Sequence, residues 1–513
     1  MPRRRLFALM ALFLPVALGG FLLGSTRTRE SLDLFNQVFR LVAETSVDSL
    51  PDHELYELAA RGLVSQLNDP YADVLSPEQR ASFDRNSIGN RYAGTGMTIR
   101  SHRGKVTAFR VFPTSPAYRA GLRAGDRIVA VGPTSVVGWE SDSVTRLLLG
   151  EPNTDVQVTV QRAGVAQPIV ATVRRAVVRV PAVPYTVMLD RQVGYIPITR
   201  FNDVSAADVA RAVLELERQG AKGFILDLRG NGGGDLYQSL RMAGLFLEAG
   251  QEIARVKHRG KDPEVYRAEE RPLIADAPIA VLVDGGSASA SEIVAGSLQD
   301  QDRALVIGTR TFGKGLVQTQ VTLENGWAVR LTTGKWYTPS GRSIQAEHVG
   351  MGDGRFVEDT MTGPDRPRYR SASGRTILGG GGVTPDLEVR QDTVTTAERV
   401  RARAIGNRAL DLQDAVFEVA RRVAGRGGLA ALGDAAWRDS IYAVAEATDL
   451  LMARQDFDNA AEVIDRLLVS QVAGLVAGDS AAFAERIATD RVLQAAIERV
   501  DRAGSRVRLL GLN

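Results

Sequence analysis

Residues 279–318 read IAVLVDGGSASASEIVAGSLQDQDRALVIGTRTFGKGLVQ. The runs IAVLV and ALVIG are apolar throughout, as strands covered on both faces are, and the segment from Ser287 to Gly296 between them reads as the start of a helix. The same alternation precedes this stretch. VGYIPI, a helix from about Ala206 to Gln219, GFILDL and a helix from Leu236 to Leu247 lead into it. Buried strands alternating with amphipathic helices predict an α/β layered domain.

The turn Asp284-Gly285-Gly286 ends the first of these strands, and Ser287, Ser289 and Ser291 follow where the helix begins. A hydroxyl at such a turn stands beside free backbone N–H groups and the positive end of the helix dipole, which can stabilise an oxyanion. A hydroxyl attacks only if a base takes its proton. The chain has no Cys, and His53, His102, His258 and His348 all lie outside this stretch. Lys314 can serve if burial leaves its amine neutral. Chemistry alone leaves the three serines equal. Glu292, one helical turn from Ser289, reads as structural or secondary, because a carboxylate near Lys314 favours the charged amine. If residues 314–323 are extended, Lys314 and Gln318 share a face, and Gln318 can orient the amine by hydrogen bonding.

Gly308-Thr309-Arg310-Thr311-Phe312-Gly313-Lys314 also matches seven positions of a phosphate-binding loop. The eighth is Gly315, not Ser or Thr, and the residues after it alternate like a hairpin instead of opening a helix. Nucleotide binding is therefore not expected. A second glycine-rich loop, Asp227 to Asp235 (DLRGNGGGD), lies at the end of a strand and leaves backbone N–H groups accessible, as an oxyanion hole needs.

Residues 89–176 have a different texture, with short alternating strands separated by Gly and Pro. Gly94-Thr95-Gly96-Met97 precedes a strand and can turn N–H groups toward a terminal carboxylate. With Ser115-Pro116-Ala117, Ala120-Gly121-Leu122 and Gly125-Asp126-Arg127-Ile128, the segment resembles a PDZ domain. The resemblance implies that a peptide C-terminus adds as a strand beside the one starting at Met97.

At the N-terminus, Arg3, Arg4 and Arg5 precede an uncharged run from Leu6 to Gly24, about 28 Å long as a helix. It reads as an export signal, with Ala17-Leu18-Gly19 as a passable cleavage site, or as a retained inner-membrane anchor. The rest of the protein is then expected in the periplasm or cell envelope. Residues 25–88 read as helical until Asp69-Pro70, residues 346–381 as an inserted surface loop, and residues 392–513 as a helical accessory unit. A length of 513 residues with 44% apolar and 24% charged residues supports several soluble domains. A net charge of +3, with scattered basic residues, argues against a nucleic-acid partner.

The segments DLRGNGGG, GGSASASE, TFGKGLVQ, YTPSGRSIQ and GVTPDLEV together resemble the carboxyl-terminal processing (tail-specific) serine protease family, over residues 55–391. The resemblance implies a crotonase-like α/β protease core over 177–391 preceded by the PDZ-like domain. It selects Ser289, twenty-five positions before Lys314, as the nucleophile, and places the glutamine on Gln318. It maps the oxyanion donors to the backbone of Ala290 and Gly233. Two departures stand out: Asp284 where the family commonly has Asn, and Gly230 and Gly232 in a loop that usually carries bulkier residues or Pro.

The implied activity is an exported endopeptidase, without metal or cofactor, that binds protein C-termini and cleaves near them. A PDZ-based binding or scaffold protein is the competing expectation, and an ATPase the weaker one. An adaptor or a second copy bound through the helical regions is a further expected partner.

Overall fold

The computed structural model describes residues 27–67, 69–84, 91–346, 349–351, 355–357, 366–390, 409–433, 436–447 and 453–512. The basic flank and the apolar run 6–24 lie outside the described residues, and with them the export expectation. Among the described residues no helix is long and apolar enough to cross a membrane. The chain divides into a small unit, residues 1–80 with 318–332, and a large one made of the remainder.

In the small unit the helix Asp52–Ser65 ends just before the predicted break at Asp69-Pro70. The strand Asp73–Leu75 pairs antiparallel with residues 328–330. Arg61 donates to the Val74 carbonyl at 2.7 Å and lies 5.3 Å from the ring of Trp327.

The large unit is built on a six-stranded sheet whose spatial order follows the chain. Its strands are β1 (Val187–Leu189), β2 (Val193–Pro197), β3 (Gly223–Asp227), β4 (Ile279–Val283), β5 (Leu305–Gly308) and β6 (Leu387–Glu388). All neighbours are parallel except β1 and β2. Helices α1 (Ser205–Arg218), α2 (Leu236–Gly244) and α3 (Ala290–Asp300) connect β2 to β5 in turn. A sheet that always advances in one direction through right-handed crossovers collects every connecting helix on one face. The other face then needs a separate cover.

Side-chain alternation reports both faces. Phe224, Leu226, Val281, Val283 and Val306 pack with α1 to α3, whereas Ile225, Ala280, Leu282, Leu305 and Ile307 point the other way. The second face is covered from the end of the chain. Leu493, Ala496, Ile497 and Val500 of the helix Arg491–Ala503 join its core, with Leu509 and Leu510 beyond. Phe483 stacks on Tyr195 with ring centroids 4.2 Å apart. The last helices are thus integral to the α/β layer, where the sequence reading expected one accessory unit over 392–513.

The PDZ-like region forms a sheet in the order Met97–His102, Lys105–Val111, Arg127–Val131, Asp155–Gln161, Ile169–Arg174. Its core collects Val106, Ile128, Val144, Val158 and Val173. The strand that starts at Met97 lies at the sheet edge. The helix Ala409–Gly425 packs on this region: Glu418 pairs with Arg127 at 2.6 Å, Asp414 with His102 at 2.7 Å, and buried Arg421 donates to the Gly125 carbonyl.

Part of the segment read as a surface loop has structure. Arg368–Arg370 and Thr376–Leu378 form an antiparallel hairpin with Ile377 buried, and Arg375 binds Asp302 at 2.6 Å and Asp386 at 2.8 Å. Pattern reading missed it because a three-residue strand is too short to show a period.

Candidate active site

The end of β4 and the start of α3 separate the three serines by burial. Ser287 and Ser291 are fully buried, and their hydroxyls donate to the carbonyls of Leu228 at 2.8 Å and Asn231 at 2.7 Å. Ser289 is partly exposed and sits at φ 55°, ψ −112°. A side chain held in so sparsely populated a region costs about 1–3 kcal/mol, a kind of strain that concentrates at functional turns. Alternation alone could not separate these residues, since all three share the same spacing parity.

The glycine loop after β3 closes on this turn. Buried Asn231 anchors it: its amide donates to the Ile198 carbonyl at 2.8 Å, and its own carbonyl accepts the Ala288 N–H at 3.0 Å. Gly233 has φ +97°, and a β-carbon there would lie 2.7 Å from the Ala288 oxygen and 2.9 Å from Ser289 Cβ. Only glycine lets the loop approach the serine this closely. The Gly233 N–H, however, donates to Asn231 Oδ1 at 2.9 Å, so in this conformation it is not turned toward a substrate oxygen as the resemblance implied. The Ala290 N–H, first of α3, has no acceptor among the described residues. Asp284 accepts the N–H groups of Gly230 at 2.8 Å and Gly286 at 2.9 Å, so the carboxylate at this departure from the family pattern ties the two glycine turns together.

Lys314 lies in the coil before the strand Leu316–Thr322, outside the extended segment on which its alignment with Gln318 depended. Gln318 lies within that strand and belongs to the small unit, whereas Ser289, Ala290, Gly233 and Lys314 belong to the large one. The phosphate-loop match leads into the strand Leu316–Thr322, where such a loop opens a helix.

What joins the serine turn to the lysine coil is Glu292. Fully buried, it accepts the Thr311 hydroxyl and the Gly313 N–H (2.7 Å) on one oxygen. On the other it accepts the N–H groups of Ser289 and Lys314, each at 2.8 Å. Two nitrogens 2.8 Å from one oxygen are at most twice that, about 5.6 Å, apart. This is the structural role that the sequence reading gave Glu292, and the structure adds its partners at Thr311, Gly313 and Lys314. The residue's signal was the Ser-x-x-Glu spacing of a capping box, of which the glutamate half is present.

Burial pushes the Glu292 carboxyl up to about 7, although its four donors favour the ionised form. A folded-state pKa above the ordinary 4.5 means that the stabilisation is fully present below pH 4.5 and is lost as pH rises through about 7. Glu292→Gln removes this titration. The difference in unfolding free energy between wild type and Glu292→Gln, measured by denaturant titration, is expected to change by about 3 kcal/mol between pH 4.5 and pH 8. A difference that stays constant with pH would show that the carboxyl does not titrate in that window.

Of the predicted carboxylate-binding residues, Gly94 ends the strand Arg91–Gly94, which pairs with residues 176–179 in a separate two-stranded sheet, Thr95 and Gly96 form the turn, and Met97 opens the edge strand of the PDZ-like sheet. The Thr95 carbonyl accepts the Ala117 N–H at 2.7 Å and the Gly96 carbonyl the Phe112 N–H at 3.0 Å, which ties the turn to the Ser-Pro-Ala run. Gly96 has φ +82°, and a β-carbon there would meet Ser115 Cβ at 2.3 Å.

Comparison with known proteins matches part of each region. The family model described as peptidase family S41 matches residues 192–351, and that described as a PDZ domain matches residues 110–162. The carboxy-terminal processing protease CtpA of Bacillus subtilis (strain 168) is 34% identical over 317 residues, 62% of this chain and 67% of that protein. A protein of Staphylococcus aureus (strain COL) named a probable CtpA-like serine protease is 32% identical over 351 residues, 68% of each chain. Among solved structures, the photosystem II D1 C-terminal processing protease is 28% identical, with 72% of this chain and 90% of that chain covered and a TM-score of 0.38.

Proposed function

The chain belongs to peptidase family S41, as a serine peptidase of the carboxy-terminal processing kind, and from that premise we propose that Ser289 is its nucleophile and Lys314 its general base. The observation that carries this reading is the single Glu292 oxygen that binds the N–H groups of both residues. Neutral Lys314 takes the Ser289 proton as the hydroxyl oxygen attacks the scissile carbonyl. The Ala290 N–H, at the positive end of α3, receives the developing oxyanion. The tetrahedral intermediate collapses to an acyl-serine, and Lys314 gives its proton to the leaving amine. Water, deprotonated by Lys314, then attacks the ester, and Lys314 returns the proton to the Ser289 oxygen as the second product leaves. Gln318, four residues after the lysine, is assigned to orienting the amine on the family resemblance alone, as is a crotonase-like description of the α/β core.

The PDZ domain is proposed to bind the C-terminus of the protein to be cleaved. An incoming strand would lie along Met97–His102, whose edge position suits strand addition, with its carboxylate at the Gly94–Met97 turn. A peptide with an apolar C-terminus and a free carboxylate is expected to bind at least about tenfold more tightly than the same peptide as a C-terminal amide, because charge-assisted hydrogen bonds to the anion are lost. Equal affinities by calorimetry would remove terminal recognition from the proposal. The basic flank and the apolar run 6–24 support an enzyme exported to the periplasm or cell envelope, where unfolded protein tails are available as substrates.

Incubation with an unfolded protein carrying an apolar C-terminus tests the whole. Peptides released by the wild type and absent with Ser289→Ala would support the reading, and their ends would report the cleavage preference. Binding without turnover would leave a PDZ scaffold in its place.

A further inference from the structure

Arg229 stands immediately before the glycine loop. Its guanidinium grips two carboxylates, one on each side. Asp227, the last residue of β3, accepts from Arg229 Nε at 2.9 Å and Nη2 at 2.6 Å, and also from the Tyr195 hydroxyl at 2.7 Å. Asp490 accepts from Arg229 Nη1 at 2.9 Å and Nη2 at 2.8 Å. Burial works against the Arg229 charge, but the hydrogen bonds and charges of the two carboxylates outweigh it and hold the guanidinium above its ordinary pKa.

Asp490 is the N-cap of the helix Arg491–Ala503, where its Oδ1 also accepts the Leu493 N–H at 3.0 Å. It comes from the tail beyond residue 391, outside the shared family pattern. From Arg229 the chain passes through Gly230, held by Asp284, to Asn231, which binds Ala288 and Ser291 on either side of the serine turn.

We propose that Asp490 is a positioning residue for peptide-bond hydrolysis, fixing the glycine loop against Ser289 through Arg229. The terminal helix therefore serves the active site as well as the core. This inference rests on the hydrolytic reading above and adds a contribution from the tail to it.

Asp490→Asn in the full chain separates the two duties of the side chain. The amide keeps an oxygen to cap Leu493 but loses the charge and turns a donor toward Arg229. Displacing a catalytic constellation by about 1 Å costs on the order of 10²-fold, so kcat is expected to fall about 10- to 100-fold at nearly unchanged KM. Arg229→Met should show a similar loss, and Asp490→Asn added to it should cost nothing more, because the same link has already been cut. Hydrogen exchange should quicken at the Gly233 and Ala288 amides, both of which are bound to Asn231.

Wild-type kcat in Asp490→Asn, unchanged exchange of those two amides, or losses that multiply in full with Arg229→Met would each overturn the proposal. Running Ser289→Ala alongside keeps the two readings apart. Absence of Ser289-dependent hydrolysis in the wild type strikes the catalytic assignment, whereas a full Ser289-dependent rate in Asp490→Asn strikes only the positioning role. The exchange measurement tests the Asp490 link whether or not hydrolysis is seen.

Discussion

Ser289→Ala is expected to reduce peptide hydrolysis by about 10⁴-fold or more, and Lys314→Met to do the same, because neither member of a nucleophile–base pair works without the other. The double variant should be no worse than either single one, since the unit is already broken. Lys314→Arg is the sharper substitution. A guanidinium keeps the positive charge and much of the reach but does not lose its proton in a protein, so it cannot act as base. Inactivity of Lys314→Arg with an unchanged melting temperature would support proton transfer over a purely electrostatic lysine. Appreciable turnover in that variant would sink the general-base assignment. Single-turnover measurements on a C-terminally extended peptide separate these outcomes from effects on binding.

Deletion of residues 491–513 is expected to abolish folding of the α/β layer. The sequential strand order places α1 to α3 on one face, so without the terminal helix Ile225, Leu282 and Ile307 would face water. The deleted residues include Leu493, Ile497, Val500, Leu509 and Leu510, all buried. Burial stabilises each such side chain by about 1.5–3 kcal/mol, and five of them together match the whole net stability of a domain, about 5–15 kcal/mol. The truncated chain should therefore be insoluble, or lack a cooperative thermal transition by circular dichroism. Within the full chain, Leu493→Ala should cost about 2–5 kcal/mol in denaturant unfolding. A cooperatively melting truncated protein would show that the terminal helix is dispensable and return it to the status of an accessory.

These two predictions differ in how much of each is legible in the sequence. The strand–helix–strand reading of 279–308 and the pairing of a serine turn with Lys314 follow from local pattern, and the structure has strands at Ile279–Val283 and Leu305–Gly308 around a helix at Ala290–Asp300. Even there the choice among Ser287, Ser289 and Ser291 needed family resemblance, because three small hydroxyls at every second position carry no sign of which will be buried. Gly233 was assigned as a donor on the same resemblance, and the side chain of Asn231, two residues earlier, decides otherwise for the conformation described. The short hairpin at 368–378 escaped because three-residue strands show no period, and the link Glu292 makes to Thr311, Gly313 and Lys314 because those partners lie 19–22 residues further along the chain.

From its sequence alone this protein declares an α/β core and a small β-domain before it, because strand and helix periods and glycine turns are written into neighbouring residues; the PDZ likeness and the choice of Ser289 to pair with Lys314 come from family resemblance. Only the tertiary structure decided that one buried carboxylate oxygen binds the backbone of both Ser289 and Lys314. Only it showed that the second face of the sheet is closed by residues 491–510, and that Asp490 reaches Arg229 at the base of the glycine loop. The physical reason is the same in each case. Burial and hydrogen bonding are settled between segments brought together by the crossover topology, and no local period encodes which distant segment will arrive.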